Sequence, residues 1–337
     1  MHMRPAYHLK ATWVETAEAP SIADCTVRGE AFVKYAAIPR TRARAMQSVV
    51  FLVALHACRD DVVTSPQITP LPTDRRITFT SRRDGNLDIY VMDADGGYPV
   101  YLTRHAAADQ ASHWSPDGFR IAFMSDRDGD YEVYVMNANG MGLRQLTDNT
   151  SDDGFPRWSP DGSYILFTSA RSGNLEVYVM RADGTNPTRL TWNSTEDIGC
   201  AWSPDGSKIA FVSGIDVERE VYVMNVDGSD PVRLTNNREF EGSKLAWSPD
   251  GSKIVFYADR EDNRDIYVMN ADGTSPMRLT TDPAQDRYPT WSPDGLRIAF
   301  TSNRDGDDEI YVMNADGSGL VRFTRSPGLD VLDDWRR

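Results

Sequence analysis

Cysteine, histidine and long apolar runs are all scarce in this chain of 337 residues. Its 3 cysteines, Cys25, Cys58 and Cys200, imply no disulfide framework of the kind that holds small secreted domains together. Of its 5 histidines only His105 and His113 lie beyond residue 58, so no three-histidine metal centre can form in that part. The main apolar run, from Val49 to Leu55, falls well short of the roughly 20 residues that a spanning helix needs. There is no Gly-x-Ser-x-Gly nucleophile elbow. Helical periodicity of useful length is missing too, which leaves short alternating strands bounded by turns.

Positive charge is also in deficit. The chain has 36 Lys+Arg against 50 Asp+Glu, a net charge of −14. Residues 1–58 run the other way, with 7 Lys+Arg and 4 Asp+Glu, so the remainder carries −17. Nucleic acid and anionic membrane need a positive footprint and are not expected partners.

What the chain has in abundance is repetition. Trp114, Trp158, Trp202, Trp247, Trp291 and Trp335 recur at steps of 44 or 45 residues, the first five inside Trp-Ser-Pro-Asp-Gly. Tyr-Val-Met begins at Tyr90, Tyr134, Tyr178, Tyr222, Tyr267 and Tyr311 on the same beat, with one extra residue between the fourth and fifth copies. Each unit reads as four antiparallel strands in about 44 residues, the length of one propeller blade. The Trp series runs one step late, so the first unit lacks its inner strand and the last residues supply one. The expected fold is therefore all-β: a six-bladed β-propeller of four-stranded antiparallel blades. The C-terminal strand pairs into the first blade and closes the ring, which removes exposed sheet edges.

The repeat, as in "WSPDGLRIAFTS" followed by "EIYVMNADGS", resembles the TolB-type, WD40-like β-propeller repeat over residues 72–337. The resemblance implies a propeller of the bacterial cell envelope used for protein contacts, or a substrate gate on some peptidases. The eukaryotic Gly-His and Trp-Asp dipeptides are missing. The family's namesake places an α/β domain ahead of its propeller, and the residues before Leu71 leave no room for one. The resemblance is therefore to the repeat family rather than to TolB itself.

Residues 1–58 read as an export signal behind a start codon assigned too far upstream. Arg40, Arg42 and Arg44 precede the apolar run, which ends on small residues and Cys58. That end resembles a bacterial lipoprotein signal and makes Cys58 the lipidation candidate, with plain cleavage as the alternative. Residues 59–71, rich in proline and hydroxyl groups, read as a flexible tether. The expected protein is exported, periplasmic or an envelope lipoprotein, monomeric, and at a membrane only through a lipid.

Chain direction sorts the loops onto two faces. The Ser-Pro-Asp-Gly and Ala-Asp-Gly turns share one; the hairpins and the connections into the Trp strand share the other. These connections differ most between repeats, hold 13 Asp/Glu against 6 Lys/Arg, and are only 10 or 11 residues long, too short for a lid. Asp109, Asp153, Asp197, Asp286 and Asp330 each stand five residues before a Trp, and Glu241 serves the blade with the extra residue. With His113, they are the candidates for binding a basic protein or peptide, or a cation such as Ca²⁺. The competing reading makes each carboxylate a local tie for its own loop. No catalytic constellation is found, and no cofactor is expected beyond that cation. The expected function is partner binding without catalysis; the alternative is a channel-mouth enzyme such as a calcium-dependent phosphoesterase, another hydrolase or a lyase.

Overall fold

Six four-stranded sheets follow one another along the chain, each sheet one blade. The computed structural model describes residues 75–215, 218–236, 240–260 and 263–336. The proposed signal, Cys58 and the tether lie outside the described residues. Among the described residues no helix is long and apolar enough to cross a membrane.

Ring closure is as the late Trp series requires. Asp330–Trp335 is the inner strand of the first blade and pairs antiparallel with Arg75–Ser81, bringing Trp335 opposite Ile77 and Leu332 opposite Phe79. Asp88–Asp93 and Val100–Tyr101 complete that sheet. Blades two to six begin at the inner strands Asp109–Trp114, Asp153–Trp158, Glu196–Trp202, Phe240–Trp247 and Asp286–Trp291.

The repeated residues hold this frame in recognisable ways. The Ile and Phe of each second strand are almost wholly buried, as are Met92, Met136, Met180, Met224, Met269 and Met313. One cluster joins Ile89 and Val91 of blade one to Trp114, Phe123 and Met136 of blade two, so the core lies largely between blades. In the Ser-Pro-Asp-Gly turn, Ser115 Oγ accepts the Arg120 amide at 2.9 Å and donates to Asp117, which accepts the Phe119 amide at 3.0 Å. Gly118 stands there at φ 72°, which a side chain disfavours.

The outer strands are shorter than the repeat suggests, only two residues each, as at Arg144–Gln145. The Thr of Leu-Thr explains why. Its hydroxyl accepts the backbone amide that a longer strand would have paired, at 2.8 Å from Val133 to Thr147 and 2.9 Å from Ile310 to Thr324.

Every inner strand carries a bulge near its middle. In three blades a non-glycine residue takes positive φ there: Ala111 at 55°, Phe155 at 53° and Tyr288 at 56°. The extra residue of blade five is absorbed at this point. Its pairing jumps from Glu241–Ala258 to Leu245–Phe256, where blade two jumps from Gln110–Met124 to His113–Ala122. Bulges of this kind re-aim side chains without breaking the sheet.

Candidate functional site

The candidate carboxylates begin their inner strands, where each turns into its own blade. Asp109, Asp153, Asp197, Glu241, Asp286 and Asp330 are wholly buried. Five of the six meet an arginine from the hairpin that follows the second strand of the same blade. Arg127 reaches Asp109 at 2.7 Å, Arg260 reaches Glu241 at 2.8 Å, Arg304 reaches Asp286 at 2.9 Å and Arg83 reaches Asp330 at 2.7 Å; Arg171 pairs with Asp153. Among the described residues no group of three or more His, Cys, Asp or Glu is placed to hold a metal ion.

The arginine does a second job in each of these blades. Its guanidinium lies over the paired Phe and Tyr rings of the second and third strands, 4.8 Å from Tyr134 and 4.4 Å from Tyr267 for example. A cation on an aromatic face and a buried carboxylate thus share one group. The tyrosines beneath are covered: Tyr90, Tyr134, Tyr178, Tyr267 and Tyr311 are 3–6% exposed.

A second series of buried carboxylates, missed in the sequence, opens the third strands: Asp88, Glu132, Glu176, Glu220, Asp265 and Glu309. In blades three to six each pairs with the arginine two residues before the outer-strand threonine, as Arg189 with Glu176 at 2.5 Å and Arg322 with Glu309 at 2.9 Å. Blade two has Gln145 at that place, and burial pushes the Glu132 carboxyl up to about 7. The available signal was the co-repetition of this acid with the Arg-Leu-Thr arginine.

Blade four breaks the first pattern. Ile215 stands where the other blades have arginine, and it is exposed. Asn193 Nδ2 donates to one Asp197 oxygen at 2.7 Å. Burial raises the Asp197 carboxyl to about 6; the Ser213 and Thr191 hydroxyls and Asn193 oppose that rise, and the Glu176 carboxylate adds to it. Phe211 and Tyr222 stack at 5.6 Å as in the other blades, yet Tyr222 is only half-buried.

This gives a pH prediction. The folded protein holds the Asp197 proton to about pH 6, whereas an unfolded chain releases it near 3.8. Stability therefore falls as pH rises across that interval. Asp197→Asn keeps an acceptor oxygen but does not titrate, so relative to the parent it should gain about 2 kcal/mol between pH 4 and 7. Melting curves across that range check it; a pH-independent difference contradicts it.

His113 lies elsewhere. It does not meet Asp109; its Nε2 is 3.7 Å from Asp334 of blade one, and its Nδ1 accepts the Trp158 amide at 3.3 Å. It belongs to a cavity of about 170 Å³ lined by all six repeat tryptophans and by the prolines of the Ser-Pro-Asp-Gly turns. This opening is at the face opposite the acidic connections. Arg157, Lys244, Asp333 and Asp334 also line it. Lys244, from the widened bulge of blade five, donates to the Leu332 and Asp333 carbonyls at 2.7 and 2.6 Å. Burial, then Arg157, lowers its ammonium to about 7, and burial lowers His113 to about 4. Asp333 accepts from Thr80 and Ser112 at 2.8 and 2.7 Å, tying blade one to blade two. Cys200 is 2% exposed, and burial raises its thiol to about 11.

Fold and repeat together define a closed propeller of six like blades. The sequence matches the family described as PD40, TolB beta propeller domain, over residues 45–154, 150–244 and 201–333, and the chain belongs to that family. Among solved structures it is similar to TolB from Acinetobacter baumannii, with 24% identity and a TM-score of 0.66, covering 78% of this chain and 67% of that one. A putative TolB from Agrobacterium tumefaciens gives 21% and 0.63, covering 77% and 90%. An oligogalacturonate lyase from Vibrio parahaemolyticus gives 16% and 0.52, covering 75% and 73%. At these identities the likeness is one of fold. Comparison with the curated proteins gives no match.

Proposed function

We propose that the chain is an exported, monomeric, non-catalytic propeller of the cell envelope that binds a basic protein or peptide segment across its hairpin-and-connection face. One observation carries this reading. The hairpin arginines of that face turn inward onto buried carboxylates and tyrosines, while Asp128, Asp148, Asp152, Asp305 and Asp307 remain exposed. The field that a partner meets is therefore set by the hairpin tips and connections, and the ring carboxylates serve as the scaffold beneath. Export follows from the character of residues 1–58, and Cys58 is the proposed point of lipid attachment.

Reversing exposed charges tests the reading, with melting curves as the check on folding, since Asp152 accepts the Tyr131 amide at 3.1 Å and Asp305 pairs with Arg322 at 2.9 Å. Asp148→Lys with Asp152→Lys, and separately Asp305→Lys with Asp307→Lys, should each reduce capture of partner from envelope extract by residues 59–337. The loss should be large at low salt and small at high salt, since exposed attraction is screened. Capture unchanged by both reversals and by salt contradicts the reading.

A further inference from the structure

The residues that immediately precede the repeat tryptophans, His113, Arg157, Ala201, Ala246, Thr290 and Asp334, all line the cavity at the Ser-Pro-Asp-Gly face. Their chemistry divides the ring. Blades one to three supply a carboxylate, an imidazole and a guanidinium, whereas blades four to six supply two alanines and a threonine. The free volume is thus bounded by polar groups on one side and small side chains on the other. Two of the polar groups are committed to the frame. Asp334 accepts the Trp114 and Trp335 amides at 3.0 and 2.9 Å, and His113 accepts the Trp158 amide at 3.3 Å. Arg157 is not committed in this way. Its Nη1 donates to the Pro156 carbonyl at 3.0 Å, and among the described residues its guanidinium forms no ion pair and no other hydrogen bond. Lys244 has the buried Asp333 to offset its charge, yet after burial Arg157 is the group that most lowers its ammonium, to about 7. A guanidinium that lines a cavity with its fork unused is suited to a carboxylate, which it can meet through two parallel bonds.

The cavity also has room and surface for a ring. Trp202 Nε1 donates to the Arg157 carbonyl at 3.2 Å, which holds its indole beside that residue. Trp202 is half-buried, where the other five repeat tryptophans are 3–8% exposed, so it offers the most open aromatic surface. At the level of the bulges the inner strands draw together. Lys244 reaches past blade six to the Leu332 and Asp333 carbonyls of blade one, and an added Cβ on Gly199 of blade four would lie 2.2 Å from the Ser243 carbonyl oxygen of blade five. The cavity therefore narrows inward and suits a compact ligand better than a threaded chain. Its volume of about 170 Å³ is close to that of apolar cavities, about 150 Å³, that hold one benzene molecule.

We propose that this chamber binds a small aromatic monocarboxylate, with the carboxylate forked onto Arg157 and the ring between Trp202 and the small side chains of Ala201, Ala246 and Thr290. The site lies on the face opposite the acidic connections and does not depend on the partner proposed above.

Benzoate is the probe, titrated against the full chain and followed by indole fluorescence and calorimetry. Saturable binding is expected, with Kd below about 1 mM. It should be about tenfold tighter than that of benzamide, which keeps the ring without the charge, and than that of acetate, which keeps the charge without the ring. Arg157→Gln should weaken benzoate about tenfold and leave benzamide unchanged; Arg157→Lys, which keeps the charge but not the fork, should fall between. Arg157→Gln should melt no lower than the parent, since the guanidinium holds a single hydrogen bond and its removal relieves Lys244. N-acetylphenylalanine, which presents a ring and a carboxylate as a peptide C-terminus does, should bind more weakly than benzoate because its added atoms exceed the chamber. Failure of benzoate to saturate, binding equal to that of benzamide or acetate, or undiminished binding in Arg157→Gln overturns the proposal. Tighter binding of N-acetylphenylalanine overturns it as well, by assigning the chamber to a chain end.

Discussion

A chain ending at Gly328 is expected to lose its cooperative unfolding transition or to melt far below the full-length protein. The missing strand does more than contribute one tryptophan. It removes Leu332 and Trp335 from the core of the first blade, and the pairing of Ile77 through Ser81 with Trp335 through Asp330. It also removes the Asp333 carboxylate between Thr80 and Ser112, which joins the first blade to the second. Loss of one buried tryptophan alone costs about 3–5 kcal/mol. Folded domains hold only about 5–15 kcal/mol in total, so losing all three contributions should leave little of the ring. Thermal unfolding of the two chains checks this. An unchanged midpoint would mean that the ring closes without its C-terminal strand.

The next largest effect is expected from making another blade resemble blade four. Arg304→Ile leaves Asp286 wholly buried without its 2.9 Å partner and uncovers Tyr311. Breaking a buried pair from one side costs about 3–5 kcal/mol, because the surviving charge stays in place unpaired. Arg304 is itself 14% exposed, so the lower end of that range, about 3 kcal/mol, is the expected loss. For a protein of this size that is a fall of about 6–12 °C in melting temperature. Asp286→Asn should recover part of the loss in the Arg304→Ile background, since it removes the stranded charge. Additive effects of the two changes would show that the carboxylate and the guanidinium do not act as a unit.

The blade count and the closure were legible in the sequence, because the Trp and Tyr-Val-Met markers each recur six times on one beat. The two-residue outer strands were not. A count of four strands per unit does not report the threonine hydroxyl that stands in for backbone pairing, as Thr147 does for Val133. Nor could the cavity be placed. The bulge at residues 111–112 and its counterparts re-aim the inner-strand side chains, and an apolar count along the strand does not report that. Blade five's extra residue was visible as an insertion, yet its consequence, Lys244 in the channel, depends on its falling inside the bulge rather than in a loop.

The arginines were within reach of the sequence. Asp109 and Arg127, Asp153 and Arg171, and Asp286 and Arg304 each stand 18 residues apart, and the same step from Asp197 arrives at Ile215. Repetition drew attention to the carboxylates because they precede the conspicuous tryptophans. Their partners sit in the hairpins, which carry no such marker. A repeat protein shows its scaffold by what recurs, and Ile215 of blade four is visible only as a departure from that recurrence.

The claim that the acidic hairpin-and-connection face is the binding surface is tested most directly by photo-crosslinking inside the envelope. A photoreactive residue would be placed either on that face, at Asp148 or Asp307, or on the opposite one, at Asp183 or Asp272. The account predicts a crosslinked partner from positions 148 and 307 and none from 183 and 272. Crosslinks from 183 or 272 alone, or equal yields from both faces, would contradict it.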